Sequence, residues 1–357
     1  MIGWLLASAL AVSSPETDLP PVPPGQVMAI PPALQVMVQQ QVIEPGRTPS
    51  QRLALLFKLM SSGETGLGMH YRDDATHTVA QAFDTRQANC LTYTLMFLAL
   101  ADAAGLDAVP QEIDQTLALQ QRGNVVYRSN HVNASVRIGV QRYLVDVGSS
   151  FVIARHPAHP ISRQRLLAQY YNNRAVQLMG DARLDDALAH ADIAIALDPT
   201  YPTTWSNTGV LRMRSDDMAG AEDAYRKALA LDPMQSSALF NLVGLYHRSG
   251  DDRRAMQFRR RLEKVQSSDP FHQFMLAAEF EKQGDGTQAA KYYQRAIRLH
   301  AGEHRFYLGL ARAHALTGNT RRARKALERA LALAKDEDAR AEYRSALKAL
   351  QDGRQLQ

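Results

Sequence analysis

Five small residues, Ala187, Ala221, Ala255, Ala289 and Ala323, stand 34 residues apart, and no other feature of this 357-residue chain constrains its fold as tightly. Seven residues after each comes Ala194, Ala228, Leu262, Ala296 or Ala330. Turn signals precede three of the small residues, at Gly250-Asp251, Gly284-Asp285 and Gly318-Asn319, and Pro199 and Pro233 close the first two units. A supersecondary unit repeated at this length cannot bury its apolar face alone and must stack on its neighbours. The second half is therefore expected to be an all-α solenoid, with residues 336–357 as a solvating terminal helix and tail.

The period with small residues at these offsets resembles the tetratricopeptide repeat, whose paired helices cross closely at the alanines. The resemblance covers five units over residues 168–335, and Trp205 and Gly209 match the aromatic and small positions of a first helix. It departs at Ser267-Ser268-Asp269-Pro270 and at Lys335, where closing prolines are missing or displaced. Asn173, Asn207 and Asn241 share one register in three successive first helices. The resemblance implies that these amides line a concave groove and hydrogen-bond the backbone of a peptide or protein ligand. An amide both donates and accepts, so such a ladder reads backbone whatever the sequence. Arg214 and Arg248, also 34 apart, are expected farther along the same groove, favouring acidic ligands. Met275 and Gly309 end the asparagine ladder. The plainer alternative is a set of solvated polar residues on an exposed helix face.

The first half carries the chain's single cysteine, Cys90. Asn89 is a good N-cap, which puts Cys90 in the first turn of a helix reaching Ala104, where unpaired N–H groups favour a thiolate. Strand-like runs follow at residues 109–113, 131–138 and 141–147. Gly139-Val140 between the last two is the signature of a type II′ hairpin. Pairing Ile138 with Gln141 sets Asn133 opposite Asp146 and puts His131 on the same sheet face as Asp146; a slip by one residue would separate them. His131 is then placed to form a thiolate–imidazolium pair with Cys90, and Asp146 to fix the imidazole tautomer. The Cys90 backbone N–H is a candidate oxyanion donor, and Gln87 a candidate second one. Cys, His and Asp are also zinc ligands, although no close ligand pair accompanies them.

Ala88-Asn89-Cys90-Leu91-Thr92-Tyr93, Asn130-His131-Val132-Asn133 and Tyr143-Leu144-Val145-Asp146 resemble the transglutaminase-like superfamily of the papain-type fold. That resemblance implies an α+β domain over residues 49–160, no cofactor, and thiol attack on an amide carbonyl, by hydrolysis or acyl transfer. It departs at Asn133, where an aromatic residue is common. The alternative is a scaffold that keeps this fold without activity and serves protein–protein interaction.

The remaining sequence sets boundaries. Residues 1–14 form a signal-peptide-like apolar segment with small-x-small patterns at Ala7-Ser8-Ala9 and Ala9-Leu10-Ala11, too short to span a bilayer. It lacks a basic leading region, so export to the periplasm or outside stands beside a cytoplasmic alternative. Residues 15–48 include seven prolines between Pro15 and Pro32 and are expected to be an extended spacer. His156-Pro157-Ala158-His159-Pro160 reads as an inter-domain link. A net charge of +5, scattered as arginine without an aromatic–basic motif, argues against a nucleic-acid partner. Ordinary fractions of apolar (45%) and charged (22%) residues suit packed globular domains.

Overall fold

The computed structural model describes residues 20–113, 116–118, 121–122, 125–126, 131–147, 152–154 and 157–352. It consists of a mixed α/β region with a small antiparallel sheet, followed by a stacked helical array. The apolar segment at residues 1–14 and His156 lie outside the described residues.

The α/β region begins with α1 (Pro24–Val27), α2 (Pro32–Val38), a π-helical turn (Gln39–Ile43) and α3 (Pro49–Ser61). This corrects the spacer expected at residues 15–48 where that stretch is described. Pro24, Pro32 and Pro49 each occupy the first helical position, where the missing N–H costs nothing and the fixed φ favours the helix. Val27, Leu34, Val38 and Val42 are buried in the main apolar core. Thr48 and Gln51 form a reciprocal capping box on α3.

Next come β1 (His70–Tyr71), α4 (Val79–Thr85), β2 (Gln87–Ala88) and α5 (Cys90–Ala103), with β1 and β2 paired in parallel. Leu91, Thr92 and every residue from Thr94 to Ala101 in α5 are buried, as befits a helix apolar nearly all round. The strands that follow are β3 (Asp107–Ile113), β4 (Thr116–Ala118), β5 (Gln121–Arg122), β6 (Val125–Val126), β7 (His131–Ile138), β8 (Gln141–Val145), β9 (Val152–Ala154) and β10 (His159–Pro160). The sheet runs β10-β3-β7-β8, all antiparallel, with α5 packed on β3 and β7; β4 pairs with β9 and β5 with β6. His159 and Pro160, read from sequence as a link, form the edge of this sheet. A proline suits an edge, where its missing N–H breaks no ladder.

The helical array pairs α6 (Arg163–Gly180) with α7 (Leu184–Leu197), α8 (Pro202–Arg214) with α9 (Met218–Leu231), and α10 (Ser236–Arg248) with α11 (Asp252–Ser267). Two more pairs follow, α12 (Pro270–Lys282) with α13 (Gly286–Leu299) and α14 (His304–Leu316) with α15 (Thr320–Leu333), before α16 (Glu337–Gln351). The five alanines that repeat every 34 residues are all fully buried, as are Ala194, Ala228, Ala296 and Ala330. Where the closing proline of the third unit is displaced, α11 runs on to Ser267 and the Asp269 side chain caps α12 at the Phe271 N–H.

The two parts share a core. Leu166, Tyr170 and Tyr171 of α6 join the apolar cluster of α2 and α5. The Tyr171 hydroxyl donates to the Val22 carbonyl, and Arg163 forks onto both Asp102 oxygens at 2.6 and 2.7 Å.

Candidate functional site

Cys90 opens α5, and the loop before it fixes where that helix starts. The Asn89 Oδ1 accepts from the Thr92 N–H at 2.9 Å, while its Nδ2 donates to Thr76 Oγ1 at 2.9 Å and to the Asp73 carbonyl at 3.3 Å. Thr92 donates to the Ala75 carbonyl at 2.8 Å and accepts from the His77 N–H at 2.9 Å. The 73–77 loop is thereby tied to the first turn of α5. One turn later, Thr94 Oγ1 lies 2.8 Å from the Cys90 carbonyl and 3.4 Å from that of Val132, joining α5 to the strand residue beside His131.

Gly139, at φ +60°, leads the two-residue turn between β7 and β8, and Val140 keeps a negative φ, as a type II′ turn requires. Ile138 pairs with Gln141, and the register continued past Ala134–Val145 brings Asn133 across from Asp146. His131 and Asp146 meet: the imidazole Nε2 lies 2.7 Å from the Asp146 Oδ1, both side chains being almost wholly buried. Burial opposes a charged imidazole, but the hydrogen bond and negative charge of Asp146, with the neighbouring Cys90 acting in the same direction, outweigh it and raise His131 to about 10. Nε2 is taken by the carboxylate, so Nδ1 is the ring nitrogen left for the thiol. Cys90 itself is partly exposed.

The imidazole thus stands between thiol and carboxylate, an order suited to relaying a proton. A metal needs its ligands to converge, and among the described residues no group of His, Cys, Asp and Glu does so. Cys90 as the first helical residue has no intrahelical acceptor for its N–H, which leaves that donor for an oxyanion. Gln87 lies on β2 opposite His70, with its backbone N–H directed at Thr85 Oγ1.

Asn133 is the residue whose part sequence reasoning passed over. Its Nδ2 donates to Asp146 Oδ2 at 3.2 Å, so both carboxylate oxygens are engaged, one by His131 and one by Asn133. The signal was its place opposite Asp146 in the hairpin register.

In the helical array, Asn173, Asn207 and Asn241 lie half-buried on the first helices α6, α8 and α10. Asn207 Nδ2 donates to Asn172 Oδ1 at 2.9 Å, and Asn172 Nδ2 donates to Asn173 Oδ1 at 3.4 Å. Asn172, one residue ahead of the ladder, therefore links its first two rungs. Arg214 and Arg248 end α8 and α10 and are exposed, and Arg214 donates to the Met179 carbonyl at 3.1 Å.

Comparison with known proteins bears on this second part. Family models for the tetratricopeptide repeat match residues 172–235, 207–270 and 281–350. Tetratricopeptide repeats therefore make up the C-terminal half. A heat-shock protein cognate co-chaperone, sgt12 of Aspergillus fumigatus, is 33% identical over 73 residues, about one fifth of each chain (20% and 19%). Among solved structures, YrrB, described as a TPR protein with an unusual peptide-binding site, is 19% identical over 50% of this chain and 92% of its own, with a TM-score of 0.27. A thermophilic TPR protein of Thermus thermophilus is 21% identical over 51% and 99%, with a TM-score of 0.28. Pseudomonas aeruginosa pilF is 19% identical over 54% and 95%, with a TM-score of 0.29. No helix among the described residues is long and apolar enough to cross a membrane.

Proposed function

We propose that a chain with tetratricopeptide repeats in its C-terminal half uses them to hold a peptide or protein, and that its N-terminal region is a transglutaminase-like thiol enzyme acting on amide bonds. The placement of His131 between Cys90 and Asp146 carries the enzymatic part. In this reading the Cys90 sulfur attacks an amide carbonyl carbon, and the Cys90 N–H receives the developing oxyanion. The imidazolium of His131 gives its proton to the amine nitrogen as the C–N bond breaks, leaving a thioester. Water or a second amine then attacks the thioester, His131 takes its proton, and the C–S bond breaks to restore the Cys90 thiolate with an acid or a new amide as product. Asp146, held by Asn133, keeps the imidazole turned toward the sulfur.

The binding part rests on the repeats and on the half-buried asparagines of α6, α8 and α10. Similarity to a co-chaperone agrees with a partner-holding role, and it favours a second reading in which the whole chain is a non-catalytic scaffold. Incubating a peptide library and a free amine with wild type and with Cys90→Ala separates the two. Cleaved or amine-joined products that vanish in Cys90→Ala support the enzyme; identical product profiles leave the scaffold. For the groove, Asn173→Ala, Asn207→Ala and Asn241→Ala combined should abolish peptide capture, and undiminished capture removes the ladder. Export remains a proposal resting on residues 1–14; a reporter fused after residue 14 and recovered only inside the cell would end it.

A further inference from the structure

Three cations stand in one register on the first helices of successive repeats: Arg214, Arg248 and Lys282, each 34 residues from the next. All three lie in the last turn of their helices, α8, α10 and α12, and all are exposed. Among the described residues none of them forms an ion pair, whereas Arg163, Arg165, Arg183, Arg226, Arg254 and Arg312 each pair with a carboxylate. Side chains join the first helices α6 and α8 through Asn207 with Asn172, and α8 and α10 through Ser206 with Ser237 at 3.2 Å. The Gln273 Nε2 bond to the Gln266 carbonyl, 2.9 Å, ties α12 to α11 at the next junction.

One stripe of α10 shows what else faces this column. Phe240, Gly244 and Arg248 follow each other at four-residue spacing and so share a helix face. Phe240 is 64% exposed, an unusual position for a phenylalanine. Gly244 has nothing within 4 Å of where a Cβ would sit, so packing does not require glycine there. A helix-interior glycine costs about 1 kcal/mol relative to alanine, and its use here leaves bare backbone open to close approach. Asn241, beside Phe240, makes no side-chain hydrogen bond among the described residues.

We infer that the groove takes an extended acidic peptide whose carboxylates recur every third residue, one at each of Arg214, Arg248 and Lys282, with an apolar side chain against Phe240. This rests on the groove reading above and specifies its ligand. The spacing follows from geometry. Packed helices lie about 8–10 Å apart, and a polyproline-like chain advances about 9 Å in three residues, presenting the same face each time. Cations at helix C-termini also complement the helix dipole, but that role is read as stability and not as affinity.

Fluorescence anisotropy on the full chain tests this with labelled peptides of one composition, three glutamates being placed either at every third residue or contiguously. The spaced peptide should bind about tenfold tighter, and its affinity should fall as salt rises from about 50 to about 300 mM. Arg214→Ala, Arg248→Ala and Lys282→Ala should each weaken it about two- to fivefold at a temperature where each variant is fully folded. Equal affinity for both peptides, or wild-type affinity in all three variants, overturns the inference. So does equal binding of a single-stranded oligonucleotide, because the column would then select charge alone. A glutamine version that binds as tightly as the glutamate one, yet depends on Asn241, overturns the acidic ligand and leaves the groove standing.

Discussion

Asn89 is where the fold and the thiol depend on the same atoms, so its replacement is the most informative single change. In Asn89→Ala three hydrogen bonds disappear at once: the cap on the Thr92 N–H and the two bonds from Nδ2 to Thr76 and Asp73. Asn89 is buried, so water cannot readily replace them. Loss of a cap costs about 1 kcal/mol, and leaving a buried partner unsatisfied costs about 1–3 kcal/mol more. Together the expected destabilisation is about 2–4 kcal/mol, read as a lowered urea midpoint at unchanged m-value. Asn89→Asp keeps the cap acceptor but loses both donations, and should recover about 1 kcal/mol of the deficit. With the first turn frayed, Cys90 loses its fixed place beside His131, and iodoacetamide should label it several-fold more slowly under conditions where the variant is still folded. An Asn89→Ala protein within about 0.5 kcal/mol of wild type, labelled at the wild-type rate, would refute the claim that this cap sets the thiol.

Other expectations follow from single features. Leu34→Ala should cost about 2–5 kcal/mol, because Leu34 is fully buried in the main core, whereas an extended spacer would tolerate the change; chemical denaturation decides. Gly209→Ala would put a methyl 2.4 Å from the Tyr225 ring, so thermal unfolding should show a loss of about 1–3 kcal/mol, against a gain of about 1 kcal/mol for Gly244→Ala, where the space is open. His131 is raised in the folded state to about 10 from an ordinary value near 6.5. Its contribution to stability is therefore complete below about pH 6.5 and is lost as pH climbs toward 10. Urea midpoints should fall over that window, and fall less in Asp146→Asn.

What was legible in the sequence was local or periodic. Asn89 announced the start of α5, and Gly139-Val140 set a hairpin register from which the meeting of His131 and Asp146 followed by counting. The buried alanines were legible because each repeat meets its neighbours in the same way. The prolines misled because a residue that breaks a helix interior is also a favoured first residue. Whether Pro24 and Pro32 started helices depended on Val27, Leu34 and Val38 finding a distant core, which no local pattern reveals. The same holds for the 73–77 loop. Its grip on Asn89 and Thr92 comes from backbone carbonyls, one backbone N–H and one threonine hydroxyl, which leave no mark in composition. The Asn172 link between Asn173 and Asn207 was hidden for a related reason, since it joins neighbouring units off the 34-residue register.

The central claim is that His131 and Asp146 activate the Cys90 thiol, and the rate of Cys90 alkylation by iodoacetamide between about pH 5 and 9 tests it most directly. Iodoacetamide reacts with the thiolate, and Cys90 is the sole cysteine, so total labelling reports this one site. The account predicts that labelling of wild type is slowed about tenfold or more in His131→Ala and less in Asp146→Asn. Identical pH–rate curves for wild type and His131→Ala would contradict it.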